Sequence, residues 1–345
     1  MTPTLKARGV VTMGWNVLLT ARAAVDAGAR ARDLLTTAGC TLTVADPFGP
    51  LTLAQLASAI QGQEAVIAST DDYSAGFFAR PEAASLKCVS RWGVGLDCVD
   101  LAAATSAGVV VCNTPRILDE AVADYTWALL FAIARRVARG SELMGRGEWD
   151  LAWGHGVHSK TLGIVGCGQI GRAVARRATG FGMRVLGFDP FADDCAGIER
   201  MPLEQLLRES DFVSLHCSLT PENRGMLNAD RLALLKPSAY LINTARGALV
   251  DEEALVVALQ QGRFAGAAID AYAAEPLPAA SPLRTCPRLL LTPHQAFNAI
   301  ETGEEVSLTA AWAIVDLMQG KRPRHTANPD VFAHASLRAA MTRQS

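Results

Sequence analysis

Short apolar runs alternate with longer amphipathic segments along almost the whole chain. The runs have the length of strands and are rich in Val, Ile and Leu, and they fall into two series. The first series is WNVLLT, CTLTV, EAVIAS, KCVS and GVVVCN; the second is TLGIVG, RVLGFD, DFVSLHC, AYLINT, GAAID and RLLLTP. Continuous apolar strands that alternate with helices are typical of parallel sheets covered on both faces. The pattern therefore predicts an α/β protein with two parallel-sheet domains.

Helical segments between the strands indicate where the two domains divide. The segment 119–146 begins with acidic residues and ends with arginines, as the helix dipole favours, so we expect one long helix there. A last helical segment, about 300–319, is expected to return to the first domain. The first domain would therefore be discontinuous, formed by 1–112 and 297–345, with the second domain, 113–296, inserted into it.

Composition narrows the classes of function. The chain has 345 residues, half of them hydrophobic, and a net charge of −2, so it can bury two cores and offers no broad charge to nucleic acid or anionic lipid. We expect no membrane span and no signal peptide, because the apolar runs are too short. The eight cysteines never form C-x-x-C, so we expect no metal site and a cytoplasmic location. The partner that this composition favours is a small molecule.

The stretch TLGIVGCGQIGRAVARRA holds three glycines in the spacing G-x-G-x-x-G. A lone match of this kind is weak, but here it follows a strand and opens a helix, which is the context that dinucleotide binding requires. Gly166 would make the tight turn, Gly168 would let the backbone approach a pyrophosphate, and Gly171 would let helix and strand pack closely. The fingerprint predicts a dinucleotide cofactor.

The strand after the fingerprint ends in Asp189. A carboxylate at this position can accept hydrogen bonds from the ribose hydroxyls of the adenosine, and it would repel a 2′-phosphate. No arginine follows until Arg200, so the sequence favours NAD over NADP. The alternative is that Asp189 merely starts a turn and that the glycines serve packing. Motif, context and carboxylate together favour NAD.

Three chemically distinct side chains follow strands of the second series. In open parallel sheets ligands bind beyond the carboxyl ends of the strands, and there the chain places Arg246, Glu275 and His294. Histidine can accept the proton of a hydroxyl group that is oxidised by hydride transfer, and a glutamate on the far ring nitrogen would fix its tautomer. A guanidinium can bind a substrate carboxylate. Each residue alone could be an ordinary loop residue, but together they predict an oxidoreductase.

These features resemble one protein family. The chain is similar to the D-isomer-specific 2-hydroxyacid dehydrogenases, which include phosphoglycerate dehydrogenase, glyoxylate/hydroxypyruvate reductase and D-lactate dehydrogenase. The motifs that carry the resemblance are RWGVGLDCVD, AVADYTWALL, KTLGIVGCGQIGRAVA, LINTARGALVDEEAL, AIDAYAAEPLP and LTPHQAF. The resemblance implies two Rossmann-like or flavodoxin-like domains, the first binding substrate and the second NAD. It also implies an active site in the cleft between them, and a homodimer.

The same resemblance implies roles for the residues that would contact substrate. Arg246, Glu275 and His294 occupy the catalytic positions of the family. The backbone of residues 92–95 would bind the substrate carboxylate, which suits a glycine-rich turn of exposed amides. The expected substrate-binding residues are Trp92, Gly93, Val94, Gly95, Arg246 and His294.

A larger set of residues is expected to contact the cofactor. This set consists of Val94, Gly166, Gly168, Gln169, Ile170, Gly171, Asp189, Cys217, Thr220, Thr244, Ala245, Arg246, Asp270, His294 and Ala296. By the resemblance, Thr244 and Ala245 would line the nicotinamide ring and Asp270 would contact its carboxamide. Cys217 and Thr220, in HCSLTP, match cofactor-contacting positions of the family.

Departures from the family's motifs bear on the substrate. Phosphoglycerate dehydrogenases usually carry an arginine after the third strand, where this chain has Ala68 and its neighbours. Phe297, in HQAF, is closer to D-lactate dehydrogenases, and Trp92 is bulky for its loop. We therefore expect a compact or apolar 2-oxo acid and its D-2-hydroxy acid. The alternatives are a dinucleotide-sensing, corepressor-like binding protein on the same fold, and a dehydrogenase of another small acid such as formate or phosphite.

Overall fold

The chain folds into two compact units, each built on its own parallel sheet. The computed structural model describes residues 14–192 and 197–342, and the following statements concern those residues. The first unit comprises the chain up to Ile117 together with the segment from Ala299 onward, and the second comprises Leu118–Asn298. The sequence pattern predicts these two boundaries after residues 112 and 296.

The described residues form twelve β-strands and twelve α-helices. The strands are β1 (Asn16–Leu19), β2 (Thr41–Val44), β3 (Ala65–Ala68), β4 (Cys88–Arg91), β5 (Val110–Cys112), β6 (Thr161–Val165), β7 (Arg184–Phe188), β8 (Glu199–Arg200), β9 (Phe212–Leu215), β10 (Tyr240–Asn243), β11 (Gly266–Ile269) and β12 (Leu289–Leu291). The helices are α1 (Arg22–Asp26), α2 (Ala29–Thr37), α3 (Leu53–Ile60), α4 (Ala75–Phe78), α5 (Leu101–Ser106), α6 (Asp119–Ala134), α7 (Val137–Gly145), α8 (Gln169–Ala178), α9 (Leu203–Glu209), α10 (Ala229–Leu232), α11 (Glu252–Gln260) and α12 (Ile300–Met318).

The first unit contains a five-stranded parallel sheet in the order β2-β1-β3-β4-β5. Every residue of β3 is buried, as expected for an apolar strand covered on both faces. Helix α12, from the far end of the chain, packs on α2 and β4. Two hydrogen bonds fix it there: Ser90 Oγ donates to the Ala310 carbonyl (2.9 Å), and Trp92 Nε1 donates to Ser307 Oγ (2.8 Å). The last long helix therefore supports the loop that follows β4.

The second unit contains a seven-stranded parallel sheet in the order β12-β11-β10-β9-β6-β7-β8. Apolar side chains of α9, α10 and α11 cover one face, and those of α6 and α8 cover the other. The chain leaves β6 for β7 on one side and later returns to β9 on the other. The loops after β6 and β9 therefore start side by side, which is where open parallel sheets bind their ligands. The prediction of two parallel-sheet α/β domains is confirmed.

The prediction of one long helix over 119–146 is wrong. Helix α6 ends at Ala134, and α7 begins at Val137. Between them Arg136 adopts the left-handed conformation, with φ of 54°, which redirects the chain. The break contains neither glycine nor proline, so the sequence pattern gives no signal for it.

Three further observations concern the part of the chain that the structure describes. None of its helices is long and apolar enough to cross a membrane. No group of histidine, cysteine and carboxylate side chains within it could hold a metal ion. Seven cysteines in it are free thiols, whereas Cys195 lies outside the described residues.

Candidate active site

The three glycines of the fingerprint differ in how closely other atoms approach them. Gly166 has φ of 97°, and a Cβ there would lie 2.5 Å from the backbone nitrogen of Cys217. A Cβ on Gly171 would lie 2.1 Å from the carbonyl oxygen of Gly166. Gly168 differs, because a Cβ there would meet no described atom within 4 Å. The protein therefore needs two of the glycines for its own packing, and the third leaves open space at the start of α8.

This open space has the properties of a pyrophosphate cradle. Gly168 is the N-cap of α8, a helix of ten residues whose first amides have no partner within the helix. Those amides and the helix dipole favour a negative group there. Gln169 is exposed and Ile170 is partly buried in the first turn of the helix. The residues present therefore fit the cofactor that the fingerprint predicts.

Asp189, which follows the end of β7, holds the fingerprint loop in place. Its Oδ2 accepts a hydrogen bond from the Cys167 amide (2.8 Å), and its Oδ1 accepts bonds from the Phe191 amide (2.8 Å) and the Ala192 amide (3.2 Å). The guanidinium of Arg200 donates to the Asp189 carbonyl (3.0 Å). Arg200 is eleven residues away along the chain, but the pairing of β8 with β7 brings it beside Asp189. Arg200, the first arginine after Asp189 in the sequence, is therefore a neighbour of the Asp189 backbone carbonyl.

The loop after β9 lies against the fingerprint at Cys217, whereas the cofactor contacts of Cys217 and Thr220 stay predictions. The Cys217 backbone borders Gly166, and burial raises the pKa of the Cys217 thiol to about 11, so the thiol stays protonated. The Thr220 amide donates to Asn223 Oδ1 (2.8 Å). In the same loop burial lowers the pKa of His216 to about 3, so its ring is a neutral packing group rather than a second base.

His294 and Glu275 form a direct pair. His294 Nδ1 lies 2.7 Å from Glu275 Oε2, and both side chains are about one-quarter exposed, at 27% and 26%. Burial alone would raise the pKa of Glu275. The hydrogen bond and charge of His294 act in the opposite direction, aided by the amide of Tyr272 and the charge of Arg246, and the Glu275 pKa is lowered as a result. An ionised carboxylate therefore binds one ring nitrogen of the histidine.

Arg246 lies close to this pair because two loops approach each other closely. A Cβ on Gly247 would lie 2.0 Å from the Tyr272 carbonyl carbon, so only glycine allows the loop after β10 to touch the loop after β11. The Arg246 backbone is held by Asn243 Nδ2, which donates to its carbonyl (2.9 Å). Its charge is near enough to help lower the pKa of Glu275. The structure thus brings the three predicted side chains to one edge of the second sheet.

Asp270 makes hydrogen bonds inside the protein that the sequence does not predict. It is fully buried, and its oxygens accept bonds from the loop that carries His294. Oδ1 accepts from Thr292 Oγ1 (2.6 Å) and the Gln295 amide (3.0 Å), and Oδ2 accepts from the Ala296 amide (2.9 Å). Asp270 therefore shapes the turn around the histidine. Its contact with the nicotinamide carboxamide stays a prediction.

Two further residues that are expected to contact the cofactor, Thr244 and Ala245, are buried or half-buried in the second unit. Thr244 is 8% exposed, and its Oγ1 lies 3.0 Å from Thr126 Oγ1 on α6. The Ala245 amide donates to Asn243 Oδ1 (3.0 Å), and the side chain of Ala245 is half-buried. The sequence gives no sign of the roles of Thr126 and Asn243, because only the folded loops bring these side chains to Thr244 and Ala245.

In the first unit, the turn after β4 offers fewer free amides than predicted. The Trp92 amide donates to the Ala68 carbonyl (2.9 Å), and the Gly93 amide donates to Thr114 Oγ1 (2.9 Å). Among the residues that the structure describes, the Val94 and Gly95 amides have no hydrogen-bond acceptor. Of the residues 92–95, whose backbone is predicted to bind the substrate carboxylate, these two therefore keep amides available for that contact.

The side chain of Trp92 does not crowd this turn. Its ring is 3% exposed and packs on α12, so its bulk is part of the core of the first unit. Val94 is 40% exposed at the tip of the turn. Thr114, which was not among the predicted residues, holds Gly93 from both sides, because the Thr114 amide also donates to the Gly93 carbonyl (3.0 Å). Its position directly beyond the end of β5 was the available signal.

Comparison with known proteins decides the family. The family model described as "D-isomer specific 2-hydroxyacid dehydrogenase, NAD binding domain" matches residues 127–296. The glyoxylate reductase of Korarchaeum cryptofilum is 42% identical over 259 residues, which cover 72% of this chain and 78% of that protein. The chain belongs to the D-isomer-specific 2-hydroxyacid dehydrogenase family. The dehydrogenase thus carries the family's NAD-binding domain, and the predictions of family and cofactor are confirmed.

Solved structures agree with this assignment. The dehydrogenase is similar to the TT0316 protein from Thermus thermophilus, with a TM-score of 0.81 and 38% identity, over 90% of this chain and 99% of that one. It is also similar to the apo-structure of D-lactate dehydrogenase from Escherichia coli, with a TM-score of 0.79 and 30% identity, over 90% and 99% of the two chains. The dehydrogenase therefore has the fold of its family along most of its length.

Proposed function

We propose that the dehydrogenase interconverts a compact 2-oxo acid and its D-2-hydroxy acid, with His294 as the proton carrier. The observation that supports this role most directly is the 2.7 Å contact between His294 Nδ1 and Glu275 Oε2. Because Nδ1 is engaged by the carboxylate, Nε2 is the ring nitrogen available for proton transfer. The assignment of the ring nitrogens follows from this hydrogen bond.

NAD(H), when bound, supplies the hydride acceptor or donor for this reaction. We propose that Gly168 and the first amides of α8 bind its pyrophosphate, since that space is open and favours anions. Asp189 would bind the ribose hydroxyls with the acceptor capacity that its three amide bonds leave over. The other residues of the expected cofactor-binding set stay predictions.

In the direction of reduction, the protonated His294 would donate its Nε2 proton to the substrate oxygen as negative charge develops there. Glu275, whose pKa is lowered, would remain ionised and stabilise the imidazolium before the transfer. In the direction of oxidation the same nitrogen would accept the hydroxyl proton. One residue can therefore serve as acid and base, since proton transfer by histidine is effective near neutral pH.

The substrate carboxylate requires positive or hydrogen-donating groups. We propose that the Arg246 guanidinium binds this carboxylate and polarises the neighbouring carbonyl group. In the first unit, proposed as the substrate-binding domain, the Val94 and Gly95 amides are the donors that internal hydrogen bonds leave available. Exposed successive amides of this kind bind anions well.

For the identity of the substrate, we propose glyoxylate or a 2-oxo acid of similar size. Several similar proteins are glyoxylate reductases, among them that of Pyrococcus furiosus at 40% identity. The ring of Phe297 lies edge-on to the His294 ring, with centroids 5.9 Å apart, which supplies an apolar wall beside the proton carrier. The residues after β3, 69–72, contain two carboxylates and no arginine, which disfavours a phosphorylated substrate.

The test is NADH consumption with glyoxylate, hydroxypyruvate, pyruvate, phenylpyruvate and 3-phosphohydroxypyruvate. We expect turnover that is fastest with the compact acids, and His294→Asn should lower kcat roughly 10²–10⁴-fold. The matched control is His334→Asn, which changes an exposed histidine that contacts Ser336 in the first unit. Near-wild-type turnover of the His294 variant would refute its role. Tight NADH binding without turnover of any 2-oxo acid would refute the enzymatic proposal and favour a sensing protein.

We also propose that the dehydrogenase forms a homodimer through the second unit. The segment after α7 exposes three large apolar side chains: Trp149 (85%), Leu151 (75%) and Trp153 (87%). Large exposed apolar groups that lie close together mark contacts with other proteins. Light scattering during gel filtration should give twice the chain mass, and a monomer at micromolar concentration would contradict the proposal. A cytoplasmic location stays a prediction.

A further inference from the structure

The residue that follows the proposed proton carrier is tied to a distant helix. Gln295 Nε2 donates a hydrogen bond to the hydroxyl oxygen of Tyr125, at 2.6 Å. Tyr125 lies in the middle of α6, so the bond joins positions 170 residues apart in the chain. Both side chains are partly buried in the second unit. Neither the fingerprint nor the proposed chemistry requires this bond.

The turn that holds the histidine depends on contacts from outside itself. His294 has φ of 50°, in the left-handed region, which is uncommon for a residue that has a side chain. The Asp270 carboxylate accepts hydrogen bonds from the backbone amides of the next two residues of the turn, Gln295 and Ala296. The Gln295 side chain then extends to Tyr125, so the turn is held through its backbone from one direction and through this side chain from another.

Helix α6 also supports the neighbouring loop. Thr126, the residue after Tyr125, is fully buried, and its hydroxyl lies 3.0 Å from the Thr244 hydroxyl at the end of β10. Thr244 belongs to the loop that is expected to line the nicotinamide ring. Two successive residues of one rigid helix therefore contact the loop of the proton carrier and the loop of the expected hydride site. Their separation is set by the backbone of α6.

We propose that Tyr125 is a positioning residue for His294, acting through Gln295. This inference rests on the proposed role of His294. The Tyr125–Gln295 bond keeps the turn at a fixed distance from α6, so that Nε2 stays where the substrate oxygen must receive its proton. Proton transfer is sensitive to such distances, because misplacement by about 1 Å can cost about 10²-fold in rate. Neither Tyr125 nor Gln295 is among the residues proposed to bind the substrate, so loss of the bond should act on kcat rather than on KM.

The experiment replaces the hydroxyl and keeps the ring. Tyr125→Phe should lower kcat for glyoxylate by about 3- to 30-fold, since a hydrogen bond is lost and the turn is loosened. KM for glyoxylate and the affinity for NADH, measured by fluorescence titration, should stay within about twofold. The matched control is Tyr240→Phe in the same unit. It removes a hydroxyl that lies 2.9 Å from His155 Nδ1 at the opposite end of β10, and its kcat should not change.

A double-mutant cycle shows whether Tyr125 acts through Gln295. Gln295→Met keeps the length of the side chain and removes the amide. If the two residues act through one bond, Tyr125→Phe/Gln295→Met should be no slower than the slower single variant. Independent effects that multiply would overturn the proposed link, and so would a Tyr125 variant that changes only KM. Thermal unfolding of all variants checks that each is folded.

The outcomes separate this inference from the proposal on which it rests. If the wild-type protein turns over no 2-oxo acid, both fall together. If the wild-type protein is active, His294→Asn is inactive and Tyr125→Phe is as fast as Tyr240→Phe, the inference alone is wrong. A selective loss of kcat in Tyr125→Phe, with a coupled double variant, supports it.

Discussion

The carboxylate of Asp270 gives the most demanding test of how this site is built. It accepts three hydrogen bonds: one from Thr292 Oγ1, one from the Gln295 amide and one from the Ala296 amide. All three donors lie in the turn that carries His294. Asp270→Asn preserves the size of the side chain and replaces one oxygen by an NH₂ group, which is itself a donor. In the variant, at least one of the three donors therefore faces an NH₂ group instead of an acceptor oxygen.

The size of the effect follows from the number of donors. If the amide oxygen takes the Oδ1 position, two bonds persist and the NH₂ group faces the Ala296 amide. If the amide is flipped, the NH₂ group faces Thr292 and Gln295 instead. At least one bond to a charged acceptor is lost in either case, and such a bond contributes about 1.5–3 kcal/mol. The same free energy corresponds to about 10- to 150-fold in the equilibrium constant between the ordered and the disordered turn.

Two assays measure the consequence. Denaturant unfolding should show a free energy of unfolding lower by about 1.5–3 kcal/mol, and steady-state kinetics should show a lower kcat, by at most about 150-fold. The matched control is Asp251→Asn, because Asp251 caps α11 by accepting one bond, from the Ala254 amide at 3.0 Å. Asparagine caps a helix as well as aspartate does, so this control should hardly change the free energy of unfolding or kcat.

Comparison of the two variants decides the interpretation. If Asp270→Asn matches Asp251→Asn in both stability and kcat, the argument from three donors is refuted. The affinity for NADH separates the loop-holding role from the contact with the nicotinamide carboxamide that the family resemblance implies. A loop-holding carboxylate leaves NADH binding nearly unchanged, whereas loss of a direct contact would weaken it.

Three further variants test the account of the site. Gly168→Ala should fold normally, since a Cβ there meets no described atom within 4 Å, but NADH should bind at least about tenfold more weakly in fluorescence titration. Gly166→Ala should instead lower the melting temperature, because φ is 97° and the Cβ would lie 2.5 Å from the Cys217 nitrogen; the reverse order of effects would contradict this division. The pKa of Glu275 is lowered in the folded state, so its stabilising effect is present above its usual pKa of about 4.3 and is lost as the pH falls further. Glu275→Gln should therefore lose less stability than the wild-type protein between pH 7 and pH 3.5 in urea unfolding, and equal losses would exclude this linkage.

Much of the fold follows from the sequence because the apolar strand pattern is strong. The pattern predicts eleven strands, and the structure has all of them. The described residues contain one more strand, β8, which the pattern does not predict. It is the dipeptide Glu199–Arg200, which is exposed and has no apolar pattern. The sequence also gives no signal for the break between α6 and α7, since the left-handed conformation of a single residue, Arg136, is fixed by its tertiary surroundings.

The candidate site shows the same division. Arg246, Glu275 and His294 follow from one rule, that residues after parallel strands share an edge. The rule gives no information on which backbone and side-chain groups are already used inside the protein. The amides at 92 and 93, and the carboxylate of Asp270, have internal partners that depend on how the loops fold against each other. Residue type and order along the chain carry no record of those partners.

The discontinuity of the first unit has a consequence for biosynthesis. Its sheet is complete in sequence by Cys112, but Trp92 and Ser90 bond to α12, which spans Ile300–Met318. During translation the second unit, continuous in sequence, can fold while the first still lacks that helix. The turn after β4 therefore gains its support only when the final segment leaves the ribosome. A released chain that is truncated after Asn298 contains the whole second unit and lacks α12, so it should already bind NADH and still be unable to turn over substrate.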